Sequence, residues 1–174
     1  FKKITPQSLR MSGEHKLKDG DIMDASFEAT NRTELLFFTD KCQVYKSRAS
    51  DFSETKASAM GEYIPVKLGF DPDENVISMI PTTDYSGFMF LVFENGKAAK
   101  VPLTVFQTKT NRKKLTKAFS DKSRLVRLFF IADNADIMLT STKGRAVVFN
   151  TALVLPKTTR DTIGVQCMTL KTGA

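Results

Sequence analysis

The densest run of basic side chains is the part of the sequence that points most directly to a chemistry. Between Lys97 and Arg127 there is a single acid, Asp121, against ten basic residues: Lys97, Lys100, Lys109, Arg112, Lys113, Lys114, Lys117, Lys122, Arg124 and Arg127. Lys and Arg side chains neutralise phosphates or carboxylates, so this run suits a polyanionic partner. A solvated loop that only keeps the protein in solution is the alternative.

The two parts of the chain on either side of residue 97 also differ in charge. The 174 residues have a net charge of +7, yet residues 1–96 contain 11 Lys and Arg against 15 Asp and Glu, and residues 97–174 contain 15 against 4. This split predicts a basic surface on one part of the fold.

Hydrophobic residues make up 41%, which excludes a disordered tail, and no apolar run is long enough for a membrane span. Two cysteines are too few for a disulfide framework, so we expect a reduced, cytoplasmic protein.

Catalytic and metal-binding patterns give weak signals. His15 is the only histidine, and no nucleophile or orienting partner accompanies it, so we interpret it as a surface residue. Asp71, Asp73 and Glu74 lack the spacing of a calcium loop and indicate a turn between strands. No glycine-rich phosphate-binding loop is present.

The elements that must position the basic residues are strands. Short apolar, β-branched and aromatic runs separated by turn residues lie at 35–39, 76–80, 88–93, 128–131, 137–140 and 146–149. The best helical candidate, Leu115 to Phe119, is short and flanked by polar residues. The pattern predicts an all-β fold, either a sandwich, a barrel or a propeller.

Three segments repeat: 36–46, 90–100 and 138–148 each consist of an apolar strand, a polar turn and a second strand. Asn95-Gly96 and Lys143-Gly144 predict two-residue hairpin turns, in which glycine supplies the positive φ. Cys42 takes the equivalent place and is interpreted as a turn variant. The turns are 54 and 48 residues apart, and a period near 50 with several strands per unit is typical of propeller blades.

The repeats divide the single domain 1–174 into blades. We expect 1–31 to be the end of one blade and 32–84, 85–132 and 133–174 to be three more. Residues 61–68 and 164–170 are predicted to be similar extended segments. Because a repeat cannot bury its faces alone, the chain is expected to be a piece of a larger protein or to complete a blade from its two ends.

Several of these segments resemble one known family. Lys18-Asp19-Gly20-Asp21, residues 136–146 and the closing residues 164–171 are similar to the C-terminal repeats of the A subunits of bacterial DNA gyrase and topoisomerase IV. The resemblance covers nearly the whole chain, is strongest at 133–171 and is weakest at 108–124, where a glycine expected near Lys117 is missing. The Gln-Arg-Arg-Gly-Gly-Lys-Gly heptapeptide of gyrase is also missing, so the sequence does not separate gyrase from topoisomerase IV.

The resemblance implies a β-pinwheel, a propeller-like disc whose blades exchange strands and whose basic rim binds and bends duplex DNA. The parent would be an ATP-dependent type II topoisomerase, in which this region presents DNA for strand passage without containing a catalytic site. It implies no cofactor here, ATP and Mg²⁺ elsewhere in an A2B2 holoenzyme, and a location on the nucleoid in the cytoplasm. The implied partners are duplex DNA, the B subunit, which belongs to the same holoenzyme, and the remainder of the A subunit, with no membrane.

The candidate DNA-binding residues lie at the hairpin turns and in the loops that follow them. They are Lys56, Lys97, Lys109, Arg112, Lys113, Lys114, Lys143, Arg145, Lys157 and Arg160. Aromatic residues do not alternate with these cations, which favours contact with a duplex backbone over stacking on single strands. The alternatives are a non-catalytic propeller that binds an acidic protein and a self-contained enzyme on a small propeller.

Overall fold

The structure, a computed structural model, describes residues 1–5, 16–110 and 112–170 and is built of short strands. The strands are β1 (Glu34–Thr39), β2 (Val44–Arg48), β3 (Val76–Thr82), β4 (Phe88–Phe93), β5 (Lys97–Pro102), β6 (Lys114–Leu115), β7 (Leu125–Ile131), β8 (Asp136–Thr140), β9 (Ala146–Asn150) and β10 (Val165–Gln166). A five-residue helix, α1 (Ile64–Leu68), and 3-10 turns at Ala49–Asp51, Leu103–Phe106 and Thr151–Leu153 complete it. The all-β prediction is confirmed, and each of the six predicted runs lies in a strand. His15 lies outside the described residues.

Two four-stranded antiparallel sheets form the body of the fold. The first sheet has the order β3-β1-β2-β6 and the second has the order β10-β5-β4-β7, while β8 and β9 form a two-stranded pair. In each four-stranded sheet the last strand beside the hairpin comes from the following repeat: β6 pairs with β2, and β10 pairs with β5. This is the exchange of strands that the family resemblance implies.

The two sheets share one register. Phe38 opposes Val44 across the first hairpin, as Val92 opposes Ala98 across the second. Val44 in turn opposes Leu115, as Ala98 opposes Val165. Leu115 of β6 therefore corresponds to Val165 of β10, and their neighbours correspond in order.

Each hairpin turn contains one left-handed residue, namely Cys42 with φ 54°, Gly96 with φ 78° and Gly144 with φ 76°. Cys42 is thus confirmed as a turn variant. The prediction of two-residue turns is wrong, because neither Asn95 nor Lys143 has the positive φ that a type I′ turn requires. In the third hairpin the Gly144 amide donates to the Ser141 carbonyl at 3.0 Å. This hydrogen bond closes a turn that ends in the left-handed Gly144, which is typical of a hairpin loop longer than two residues.

The core lies between successive sheets. Because side chains alternate along a strand, each sheet has two apolar faces. One face of the first sheet, with Leu36, Phe38 and Val44, packs on Met89, Leu91 and Val101 of the second. The opposite face of the second sheet, with Phe90, Val92 and Ala98, packs on Ile137, Leu139 and Phe149 of the β8–β9 pair. The outer face of that pair is open, since Met138 and Val148 are each 64% exposed.

Residues 61–68 depart from the extended conformation that the sequence predicts. Pro65 lies in the first turn of α1, where its fixed φ favours a helix start, and Gly69 ends the helix in the left-handed conformation with φ 65°. Ile64 and Leu68 pack against Phe37 and Tyr45 on the other face of the first sheet. In the described parts of the chain, no helix has the length and apolar character needed to cross a membrane.

Candidate nucleic-acid interface

The densest cations lie along one edge of the first sheet, which we call the first edge (residues 112–117). Three anchors fix this edge: Leu115 is buried in the core, the Lys46 amide donates to the Lys113 carbonyl at 2.7 Å, and the Ala118 amide donates to the Cys42 carbonyl at 2.8 Å. Arg112, Lys113 and Lys117 are exposed. Backbone hydrogen bonds and one buried leucine therefore fix the two-residue strand β6, and the three exposed cations lie in the irregular segments on either side of it.

Lys114 belongs to the first edge but is engaged within the protein. Its Nζ lies 2.7 Å from Asp71 Oδ2 and 5.4 Å from the centre of the Tyr45 ring. The hydrogen bond to Asp71 raises the pKa of Lys114, and the same bond is the main reason that the pKa of Asp71 lies below its ordinary value. The charge of Lys114 is balanced by this carboxylate, so Lys114 is the weakest phosphate-binding candidate of the first edge.

A buried carboxylate, Glu74, braces the sheet behind Lys114. Its oxygens accept hydrogen bonds from Thr39 Oγ1, Gln43 Nε2 (2.9 Å), Tyr45 Oη (2.8 Å) and the Asp71 amide (2.9 Å). Four donors compensate the loss of hydration of one carboxylate. The acidic cluster that the sequence shows at 71–74 is thus a structural support for the turn.

Arg160, another predicted site residue, faces inward. Its guanidinium donates to the Val105 carbonyl at 3.2 Å and to the Thr116 carbonyl at 3.5 Å, and the residue is half-buried. Arg160 therefore joins the third repeat to the end of the first edge. Lys157 is exposed, and its amide donates to the Lys100 carbonyl at 2.8 Å.

The remaining predicted residues are dispersed over the surface. Lys143 and Arg145 are exposed at the third hairpin turn, Lys56 and Lys109 are exposed in loops, and Lys97 is half-buried at the start of β5. By contrast, Lys100 of the basic run is only 4% exposed, and its Nζ donates to Asn134 Oδ1 at 2.6 Å. The basic run is therefore not one continuous surface.

The cations do not recur at matched positions of the two sheets. The shared register places Arg112, Lys113 and Lys114 at the positions of Thr162, Ile163 and Gly164 in the corresponding strand, which we call the second edge (residues 162–167). The second edge contains no charged residue. The cations of the first edge therefore have no charged counterparts at the corresponding residues of the second edge.

A groove beside the first hairpin turn adds one cation, Lys41, that the sequence pattern did not single out. It has a volume of about 390 Å³, and its lining includes Lys41, Lys117 and Lys122 together with Asp121 and Asp161. Asp121 Oδ1 lies 3.9 Å from Lys122 Nζ. Lys41 precedes Cys42 as Lys143 precedes Gly144, so alignment of the repeats was the signal that could have found it.

Comparison with known proteins supplies the family. The family model described as the DNA gyrase C-terminal domain, beta-propeller, matches residues 33–83 and 135–174, which is more than half of the chain. The chain belongs to this family. The residues between the two matched segments include 108–124, where the resemblance of the sequence is weakest.

The relatives of this chain in the DNA gyrase C-terminal domain family include DNA gyrase A subunits. The DNA gyrase A subunit of Mycobacterium tuberculosis is 30% identical over 155 residues, and the match covers 87% of this chain and 18% of that protein. The corresponding protein of Streptomyces coelicolor is 27% identical over 166 residues, covering 91% of this chain and 19% of the relative. The chain thus spans less than a fifth of the proteins that it matches.

The solved structures agree with this assignment. The C-terminal domain of DNA topoisomerase IV superposes with a TM-score of 0.82 at 25% identity, covering 99% of this chain and 55% of that one. The DNA gyrase A C-terminal domain gives a TM-score of 0.56 at 20% identity, covering 93% of this chain and 56% of that one, which supports the fold. The chain is a β-pinwheel of the gyrase A and topoisomerase IV type.

Proposed function

We propose that this chain binds and bends duplex DNA as the C-terminal domain of the A subunit of a bacterial type II topoisomerase, either gyrase or topoisomerase IV. In that role it presents a DNA segment to the ATP-dependent machinery that passes one duplex through another. The proposed protein partners are the B subunit, which completes the holoenzyme, together with the remainder of the A subunit. The nucleoid in the cytoplasm is the proposed location.

One observation carries the proposal: a chain of the gyrase C-terminal family has exposed cations on either side of an anchored strand at the edge of a sheet. Arg112, Lys113 and Lys117 are exposed, and backbone hydrogen bonds at Lys113 and Ala118 hold the segment that bears them. Cations in this arrangement neutralise successive phosphates and release counterions, which gives binding that tolerates any sequence and weakens with salt.

The chemistry of DNA cleavage is assigned to other regions of the parent, and with it the use of ATP and Mg²⁺. Tyr45 and Tyr85 are 2% and 4% exposed, and each donates its hydroxyl to a carboxylate, Glu74 and Glu34 respectively. Burial and the Glu34 hydrogen bond raise the pKa of Tyr85, so its phenol is a poor nucleophile. Tyr63 is exposed at the residue that precedes α1.

The test is a titration of the 174-residue chain with duplexes of about 20 and about 80 base pairs at low and moderate salt. We expect salt-sensitive binding that is tighter on the longer duplex than its extra sites alone explain, because a bent duplex contacts more of the rim. Absence of binding at either salt would contradict the proposal. Binding to an acidic protein without binding to DNA would favour the protein-interaction alternative.

A further inference from the structure

We propose that the first edge is the principal DNA contact, that Arg112, Lys113 and Lys117 hold backbone phosphates there, and that the second edge contributes little. This inference rests on the proposed function and names the part of the domain that performs it. It replaces a uniformly basic rim with one dominant edge.

The geometry of the first edge suits a duplex backbone. Arg112 and Lys113 precede β6 and Lys117 follows it, so the three cations lie within six consecutive residues. B-DNA presents one phosphate charge per about 1.7 Å of its axis, so several phosphates lie within reach of a segment of this size. Three exposed cations on a segment anchored by backbone hydrogen bonds can therefore meet phosphates together, with less loop ordering than a flexible loop would require.

The groove extends the same surface to the hairpin turn. Lys41 and Lys122 lie with Lys117 along the groove, which joins the first edge to the turn at Cys42. Lys117 has φ 52°, a left-handed conformation that glycine adopts with less strain. A cation at a position that favours glycine points to a use for its charge, since strained residues concentrate at functional sites.

Two neighbouring cations have other roles. Lys114 is paired with Asp71, which leaves little net charge for a phosphate. Arg160 is a positioning residue, because its guanidinium holds the Thr116 carbonyl next to Lys117. Both stabilise the first edge from behind without contacting DNA.

The second edge provides an internal comparison. It is paired in the same register as the first edge, yet Thr162, Ile163 and Gln166 stand where Arg112, Lys113 and Thr116 stand in the first. Asp161, just before the second edge, is acidic. A strand without cations releases no counterions, so it adds nothing to the salt-dependent part of binding.

The experiment measures the affinity of the 174-residue chain for a duplex as a function of salt. The test variant is Arg112→Gln/Lys113→Gln/Lys117→Gln. The matched control is Lys16→Gln/Lys18→Gln/Arg32→Gln, which removes the same charge from three exposed positions of the first 32 residues. We expect the test variant to lose at least about tenfold in affinity and the slope of log K against log salt to fall by about 2.7, whereas the control changes affinity by less than about threefold.

A single substitution separates binding from folding. Lys117→Gly removes the cation and relieves the left-handed strain, so it should leave the thermal midpoint equal or higher while lowering the salt slope by about 1. Wild-type binding with an unchanged test variant, or a control that loses as much as the test variant, would overturn the inference and leave the proposed function standing. No wild-type binding to any duplex would overturn both.

Discussion

The two four-stranded sheets are built alike and end differently. In both, a hairpin with one left-handed turn residue pairs on one side with a strand of its own repeat and on the other with a strand from the next repeat. The segment from the next repeat carries Arg112, Lys113 and Lys117 in the first sheet, and no charge at all in the second. Both sheets share the alternation of buried apolar residues along their strands, which the fold requires. The residues at the edge positions, which the fold does not require to be apolar, differ between them. The difference separates what the sheets need for stability from what one edge can offer a partner.

The shared core gives the largest expected effect. Leu36, Phe90 and Met138 occupy the same register position in the three hairpins, opposite Lys46, Lys100 and Val148. Leu36→Ala and Phe90→Ala should each lower the free energy of unfolding by about 2–5 kcal/mol, because both side chains are fully buried. Met138→Ala should cost less than about 1 kcal/mol, since its side chain is mostly exposed. Urea unfolding measures all three, and an equal cost at Met138 would show that the outer face of the β8–β9 pair is covered.

The buried carboxylate of the first sheet gives the next effect. Glu74→Gln replaces an acceptor by a group that must turn a donor towards other donors, so it should cost about 1–3 kcal/mol of unfolding free energy. Ser123 is its counterpart in the second sheet, where its hydroxyl accepts a hydrogen bond from the Asn95 amide at 3.2 Å. Ser123→Ala should cost less than about 1 kcal/mol in the same urea titration. Equal costs would mean that the network around Glu74 adds no stability to the first sheet.

Charge can be transferred from one edge to the other. Thr162→Arg/Ile163→Lys gives the second edge the residues that the first has at the same register. If both edges face the partner alike, duplex affinity should rise by about threefold to tenfold and the salt slope by up to about 2. A salt slope unchanged from the wild type would show that the second edge faces away from DNA. The two edges would then differ in orientation as well as in charge.

The smallest effect concerns the ion pair behind the first edge. The folded pKa of Asp71 is lowered, first by the Lys114 hydrogen bond and then by Gln43. Its stabilisation should therefore be complete above the unfolded pKa of about 4 and should be lost as the pH falls through the folded value. The difference in thermal midpoint between the wild type and Asp71→Asn should shrink between neutral pH and about pH 3. A difference that grows as the pH falls would contradict this assignment.

The sequence predicts the hairpins well because their signal is local. β-branched and aromatic runs flanked by turn residues identify β1, β3, β4, β7, β8 and β9, and the period of the turns indicates the propeller. The exchanged strands are harder, since β6 and β10 have two residues each and gain their structure only by pairing with a strand of another repeat. The sequence does not predict the helix α1 for a related reason, since a five-residue segment is too short to carry a helical pattern. Its proline, its left-handed cap at Gly69 and its packing determine that the segment is helical.

The candidate site divides along the same line. The basic run predicts the exposure of Arg112 and Lys113, but it does not predict the burial of Lys100, which lies in β5 of the same run. Pairing of Lys114 with Asp71 depends on residues 43 positions apart, and the inward turn of Arg160 depends on carbonyls of another repeat. Contacts of this kind are set by tertiary structure, so they are invisible to a pattern read along the chain.

The most direct test of the central claim is amide hydrogen exchange of the chain with and without a saturating duplex. We expect slower exchange on DNA binding in peptides covering 112–117 and the turn at Lys41, with exchange in peptides covering 162–167 unchanged, because a partner held at the first edge restricts its opening and leaves the second edge free. Protection at 162–167 without protection at 112–117 would contradict it.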